Sequence, residues 1–174
     1  MTSVRFPDGF RLEPLRRDHP RPGFQCGEPA VDDWLKTRAL QQQNKHLSVT
    51  KVLLRADARI AGIYTIATGQ VDFGDLPPRL TKRLPHRALP VAVLAWLGVD
   101  HRDRRRGLGR LLLASALRDC YDAGRTFTFV AVILDCINDS AKQFYQQWDL
   151  GELPGYRNRL FLSWNQLADM MDSA

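Results

Sequence analysis

The stretch that most constrains the fold is a strand–loop–helix pattern in the second half of the chain. Residues 90–99 (PVAVLAWLGV) are a nearly continuous apolar run, which is typical of a central strand covered on both faces. Residues 101–110 (HRDRRRGLGR) then hold five arginines and two glycines. From residue 107 to 123 apolar side chains recur on one helical face. This order predicts a sheet with helices packed on it.

The remaining sequence predicts further strands and helices around that unit. The predicted strands are 10–15, 48–56, 59–73, 90–99, 127–134 and 159–164, and the predicted helices are 29–44, a short one within 77–84, 107–123, 140–148 (capped by Asn138 or Asp139) and 165–171. This arrangement predicts an α/β (α+β) fold in which residues 1–174 form a single domain. A mixed central sheet flanked by helices is expected.

Composition excludes several classes of protein. No apolar run approaches the roughly 20 residues that span a bilayer, and the first ten residues lack the apolar segment of a secretory signal. The three cysteines are an odd number without CxxC spacing, which argues against a disulfide framework and a zinc site, so we expect no metal and a cytoplasmic protein. The formal net charge of +6 favours polyanionic partners.

The arginine-rich turn has the composition of an anion site. Glycine lets the main chain approach a ligand closely, a helix N-terminus offers free N–H groups, and arginine donates charge-assisted hydrogen bonds to phosphate. The P-loop pattern is absent, and GxGxxG fails because Leu112 stands where the third glycine belongs. The pattern present is Arg104-x-x-Gly107-x-Gly109. A basic loop with a capping glycine is the alternative interpretation.

This pattern resembles the pyrophosphate loop of the GCN5-related N-acetyltransferase (GNAT) family, which binds coenzyme A. A second similarity is residues 138–145 (NDSAKQFY), which match the first half of the family's NxxAxxFYxxxGF helix. Asp149 and Leu150 stand where the family has Gly-Phe, a departure in the turn after that helix. The resemblance implies acetyl-CoA as the cofactor and a sheet that is splayed at the central strand.

The resemblance also implies roles for individual residues. Tyr145 would protonate the departing thiolate, whereas on its own it reads as an ordinary core tyrosine. The main-chain N–H of Val99 would stabilise the oxyanion. The cofactor-binding residues implied are Leu97, Gly98, Val99, Arg104, Arg105, Arg106, Gly107, Leu108, Gly109, Arg110, Asn138, Ala141 and Phe144.

Three further stretches resemble the GNAT toxins of toxin–antitoxin modules, which acetylate aminoacyl-tRNA. These stretches are residues 24–35, the proline-rich residues 76–85, and the central strand 90–100. The resemblance implies aminoacyl-tRNA as substrate, a ribbon-helix-helix antitoxin as partner, and a homodimer. Trp96 stands where these toxins usually carry Arg, so it is either a core residue or, with Arg102 and Arg106, a candidate for tRNA contact.

No general base stands out in the sequence, and His46 and Asp100 are the nearest candidates. An α-amine, whose ordinary pKa is roughly 7.7–8.0, needs a base less than a lysine amine does. This favours aminoacyl-tRNA as the acceptor. Two alternatives stay open: a GNAT acetyltransferase acting on a protein N-terminus, a polyamine or a small molecule, and a nucleic-acid or antitoxin-binding module with a degenerate coenzyme site.

Overall fold

The computed structural model describes residues 3–173, which form seven strands and six helices joined by three short 3₁₀ turns. The strands are β1 (Arg11–Pro14), β2 (Val49–Leu54), β3 (Ile60–Val71), β4 (Leu89–Val99), β5 (Ala131–Asp135), β6 (Gly151–Glu152) and β7 (Arg159–Ser163). The helices are α1 (Pro29–Thr37), α2 (Ala39–Asn44), α3 (Pro78–Thr81), α4 (Leu108–Gly124), α5 (Asp139–Gln146) and α6 (Trp164–Asp172).

All seven strands belong to one mixed sheet in the order β1-β2-β3-β4-β5-β7-β6. The pairs β1–β2, β2–β3, β5–β7 and β6–β7 are antiparallel. β4 and β5 pair in parallel, with residues 91–93 beside residues 131–133. Residues 127–134 are predicted to form a buried strand, and β5 is buried over 131–134. The predicted mixed α/β fold is confirmed.

The helix predicted over 29–44 is interrupted at one residue. Arg38 has φ −124° and ψ −29°, outside the helical range, and it separates α1 from α2. The Arg38 N–H nevertheless donates to Trp34 O at 3.0 Å, and the Gln42 N–H donates to Arg38 O at 2.9 Å. Because the hydrogen bonds continue on both sides, the interruption is a kink and not a loop.

The strand predicted from residue 127 begins four residues later, at Ala131. Phe127 is 80% exposed, and its N–H donates to Ala123 O at 2.8 Å. Its main chain therefore closes the last turn of α4 instead of joining the sheet. The two-residue strand β6 was not predicted, since two residues are too few for an alternation to be recognised.

The chain divides into two compact units. The strands β3 and β4 and the helix α4 each contribute residues to both units. The first contains the residues up to Ala67 together with Ala95–Arg118, and its core packs α1 on β2 and β3. The second contains Thr68–Leu94 together with the residues from Asp119 onward, and its core includes Phe161 of β7. Each unit therefore buries apolar side chains of its own.

Gly124, the last residue of α4, tests the packing of the second unit. An ideal Cβ there would collide with Trp164 and lie 2.7 Å from Phe129 Cε1. We expect Gly124→Ala to lower the free energy of unfolding by about 1–3 kcal/mol, measured by urea denaturation, because the rings must shift. Gly74→Ala is the control, since a Cβ at Gly74 meets no atom within 4 Å. Equal stability of both variants would contradict this packing.

Candidate active site

The loop between β4 and α4 is shaped by two residues in the left-handed region. β4 ends at Val99, a 3₁₀ turn covers His101–Asp103, and α4 begins at Leu108. Arg105 has φ 65° and Gly107 has φ 72°. A non-glycine residue with positive φ is strained, and such outliers cluster at functional sites. Turns of this kind direct successive N–H groups to one side and form anion-binding concavities.

The beginning of α4 adds to this concavity. The first N–H groups of a helix have no carbonyl partner within the helix and carry the positive end of its dipole. Gly107 is exposed, and a Cβ built on it meets no atom within 4 Å. Gly109 lies in the first turn of α4 and is not among the residues with positive φ. The loop therefore fits a pyrophosphate group held by main chain, with Gly107 as the flexible position.

The arginines of the loop differ in their contacts. Arg104 Nη2 donates to Cys26 O at 2.7 Å, and a Cβ on Gly27 would collide with this guanidinium. Arg102 Nη2 donates to Gly23 O at 3.0 Å. Arg105 and Arg106 are exposed. Arg102 and Arg104, which the sequence assigned to tRNA and to the coenzyme respectively, thus contact the segment 23–26 of their own chain.

Asp100 is a buried, hydrogen-bonded carboxylate. Burial alone would raise its pKa, but hydrogen bonds from the Arg102 side chain, from the main-chain N–H groups of Arg102 and Gln25, and the Arg102 charge outweigh it and lower the pKa. A carboxylate of lowered pKa that is 0% exposed is a weak base and is shielded from a substrate amine. This environment disfavours Asp100 as the base. His46 lies in an exposed turn after α2.

The end of β4 is packed closely against Cys26 and Val31. Leu97, Gly98 and Val99 follow the residues of β4 that pair with β5, and all three are half-buried. A Cβ on Gly98 would lie 3.2 Å from both Cys26 Sγ and Val31 Cγ1, so this position favours glycine. The segment that carries Cys26 therefore supports the main chain of the candidate pantetheine and oxyanion residues.

Trp96 packs on a second tryptophan. Its ring stacks on Trp34 with a centroid distance of 5.3 Å and an interplanar angle of 17°. Trp34 Nε1 donates to Thr65 Oγ1 at 3.1 Å, and the Arg38 guanidinium lies 5.5 Å from the centre of the Trp34 ring. Trp96 itself is half-buried. The structure therefore gives Trp96 a packing role against Trp34.

The second unit carries α5 and the candidate acid. Asn138 Oδ1 accepts a hydrogen bond from the Ala141 N–H at 2.8 Å. Of the two residues predicted as the cap, Asn138 and Asp139, the structure therefore shows Asn138 in that role. The Phe144 ring contacts Tyr145 edge-on at 5.2 Å and Trp148 at 4.8 Å. Asn138 and Ala141, which the resemblance assigned to coenzyme binding, thus organise the first turn of the helix.

Tyr145 is the buried residue of α5, with 9% of its surface exposed. Burial raises the pKa of its hydroxyl, and Cys136 nearby raises it further. The hydroxyl therefore stays protonated at neutral pH and has a proton to donate. This geometry suits a general acid, and it equally suits a core tyrosine with a polar tip.

The departure at 149–150 leaves the turn after α5 intact. Asp149 has φ 60°, the left-handed conformation for which glycine is preferred and Asp is tolerated. Leu150 is buried, with 4% of its surface exposed. The residue pair therefore keeps both features that Gly-Phe provides, a left-handed turn and an apolar side chain in the core.

Sequence reasoning missed three charged residues beside the loop: Asp103 is 0% exposed, and Arg55 and Arg59 contact its carboxylate. The sequence signal for Asp103 is its place three residues after Asp100 and directly before an arginine run. Within residues 3–173 no group of three or more His, Cys, Asp or Glu side chains is placed to hold a metal ion, and no helix there has the length and apolar character to cross a membrane.

The chain is similar to known toxins in sequence and in fold. The chain is 36% identical over 126 residues, 72% of its own length and 75% of the relative's, to the tRNA-acetylating toxin of Mycobacterium tuberculosis. A structure of AtaT complexed with acetyl-methionyl-tRNAfMet has a TM-score of 0.85 at 23% identity, covering 93% of this chain and 99% of that one. A mutant of the toxin AtaT bound to the C-terminus of the antitoxin AtaR has a TM-score of 0.80 at 21% identity, covering 94% and 98%.

At that level of identity the two solved structures show a shared fold. The pattern of the acetyltransferase (GNAT) family matches residues 13–150, which include the loop after β4 and the helix that carries Tyr145. The chain therefore belongs to the acetyltransferase (GNAT) family.

Proposed function

We propose that this acetyltransferase transfers an acetyl group from acetyl-CoA to the α-amino group of aminoacyl-tRNA and thereby blocks translation as a toxin. The observation that carries the proposal is the turn at 104–107, with Arg105 and Gly107 in the left-handed region directly before α4. The 36% identical relative named a tRNA-acetylating toxin supports the choice of acceptor. On this proposal the whole chain is one N-acetyltransferase domain.

The coenzyme is held largely by main chain. Residues 105–110 supply N–H groups and arginines for the pyrophosphate, because a preformed turn at a helix N-terminus binds phosphate at little reorganisation cost. Leu97 and Val99 offer strand main chain to the pantetheine amides. Asn138, Ala141 and Phe144 contribute through the first turns of α5, which Asn138 caps.

The chemistry divides between two groups of this chain. Acetyl-CoA supplies the acetyl group as a reactive thioester. The Val99 N–H donates a hydrogen bond where negative charge develops on the carbonyl oxygen. Tyr145 holds a proton at Oη for the departing sulfur, since burial keeps its hydroxyl protonated. No side chain need act as a strong base, because the acceptor α-amine is partly neutral near pH 8.

We expect the polyanionic acceptor to contact basic side chains that are exposed to solvent. Arg106 is exposed on the loop, and Arg102 keeps 44% of its side chain accessible despite its contacts. Trp96 is the third candidate for tRNA contact. The partner we propose is an antitoxin of the ribbon-helix-helix type. That a toxin of the same fold binds the antitoxin AtaR supports an antitoxin as partner. We further propose a homodimer in the cytoplasm, where charged tRNA is found.

The direct test is transfer of labelled acetyl from acetyl-CoA to a panel of acceptors. We expect label on charged tRNA and none on uncharged tRNA, and Tyr145→Phe should reduce the rate by about 10²–10⁴-fold with little change in coenzyme affinity. The variant keeps the ring and its packing on Phe144. Label on a polyamine or a peptide N-terminus but not on charged tRNA would contradict the acceptor. An undiminished rate for Tyr145→Phe would contradict its role.

The pH dependence of the rate follows from the raised pKa of Tyr145. We expect kcat/KM to rise as the acceptor amine loses its proton, at roughly pH 7.7–8.0, and to stay level up to about pH 9.5 because Tyr145 remains protonated. Initial rates should be normalised to intact charged tRNA at each pH, since its ester hydrolyses in base. A decline with an apparent pKa below about 9 that vanishes in Tyr145→Phe would contradict this assignment.

A further inference from the structure

Two buried carboxylates lie at the start of the coenzyme loop, and the mechanism above does not use them. Asp100 follows β4 and Asp103 ends the 3₁₀ turn, and both are 0% exposed. A carboxylate removed from water is strongly destabilising unless it is paired and hydrogen-bonded. Their partners therefore show what these two side chains hold in place.

Asp103 is held by the two arginines that flank the β2–β3 turn. Arg55 Nη1 donates to Asp103 Oδ1, and Arg59 Nη1 donates to Asp103 Oδ2 at 3.1 Å. The same Arg59 nitrogen lies 3.5 Å from Asp100 Oδ1, so it bridges the two carboxylates. The Arg55 N–H also donates to Arg59 O at 2.9 Å, which closes the turn. One side of the loop is thus tied to this hairpin.

Asp100 ties the loop to the segment 23–26. Its Oδ1 accepts from Arg102 N at 3.0 Å and from Arg102 Nε at 2.8 Å. Its Oδ2 accepts from Gln25 N at 3.1 Å and from Arg102 Nη2 at 3.0 Å. The His101 N–H donates to Gln25 O at 2.8 Å. We call Arg55, Arg59, Asp100, Arg102 and Asp103 the loop clamp.

The loop clamp fixes one end of the turn at 104–107, and α4 fixes the other end. Asp103 is directly followed by residues 104–107, after which Leu108 is buried at 2% exposure. Between these anchors Arg105 adopts a strained left-handed conformation, which persists only where the surroundings determine it. Releasing the upstream anchor would let the turn relax and redirect its N–H groups.

We propose that Asp100 and Asp103 are positioning residues for the coenzyme, which hold the turn at 104–107 in its phosphate-binding shape through Arg55, Arg59 and Arg102. This inference rests on the proposed function. Both carboxylates are 0% exposed and are hydrogen-bonded to protein groups, so they act through the loop and not on the ligand.

Charge gives this role a distinctive sign. Coenzyme A is a polyanion, and removing a negative charge beside its site should strengthen its binding if only the electric field mattered. If the carboxylates shape the turn, the same change should weaken binding, because the N–H groups no longer converge. The direction of the change therefore separates positioning from simple electrostatics.

The experiment compares Asp103→Asn with Glu13→Gln by calorimetric titration with coenzyme A. Both substitutions remove one carboxylate charge. Glu13→Gln is the control, because Glu13 pairs with Arg16 and His19 in the same unit and contacts no residue of the loop. We expect the Kd of Asp103→Asn to rise about tenfold to a hundredfold and that of Glu13→Gln to stay unchanged. The KM for acetyl-CoA should rise in parallel, with kcat at saturation within about twofold of the wild type.

A second pair decides the question if Asp103→Asn does not fold. Arg55→Lys keeps the charge but loses the planar guanidinium, and its side chain is 31% exposed. Its Kd should rise about threefold to tenfold, while Arg16→Lys, at exposed ion pairs with Glu13 and Asp18, should leave Kd unchanged. If Asp103→Asn folds, an unchanged or lower Kd for it would overturn this inference alone. If it does not fold, an unchanged Kd for Arg55→Lys would do so. A wild-type chain that does not bind coenzyme A would overturn the proposed function and this inference with it.

Discussion

The site depends on the neutralisation of an arginine-rich loop by two buried carboxylates. Five arginines within residues 101–110 repel one another, and such a loop has no intrinsic reason to be compact. Asp100 and Asp103 reverse this by placing negative charge inside the loop, where Arg59 contacts both. Removing one member of a buried ion pair typically costs about 3–5 kcal/mol, so the pairing is a strong constraint on the loop. The positive charge of the loop arginines that these two carboxylates do not pair is available to ligands.

Local interactions also determine the position of the helix that carries Tyr145. α5 is short, and its position depends on the Asn138 cap at one end and the left-handed Asp149 after the other. Between them Tyr145 is buried while its neighbours in sequence are half-buried or exposed. Burial then sets its chemistry, because an apolar surrounding keeps the hydroxyl protonated. One placement thus accounts for both the packing of Tyr145 and the proton that its hydroxyl retains.

The sequence was sufficient for features that are local or periodic. The strand–loop–helix unit, the Asn138 cap and the mixed sheet follow from apolar runs, capping residues and motif spacing, and all are present. The roles proposed for Tyr145 and the loop residues remain predictions from the motifs. Other features could not be predicted from local pattern. The pairing of Asp103 with Arg55 joins residues 48 apart, and the Phe127 N–H closes α4 on Ala123 O although Phe127 stands in an apolar run that is typical of a strand.

Hydrogen–deuterium exchange is the direct test of whether the turn after β4 is a preformed coenzyme site. Exchange of the whole chain should be followed by mass spectrometry with and without saturating coenzyme A. We expect coenzyme A to slow exchange most in peptides covering residues 97–99 and 105–110, because those N–H groups gain acceptors. Unchanged exchange in both peptides at saturating coenzyme A, with protection elsewhere or none, would contradict it.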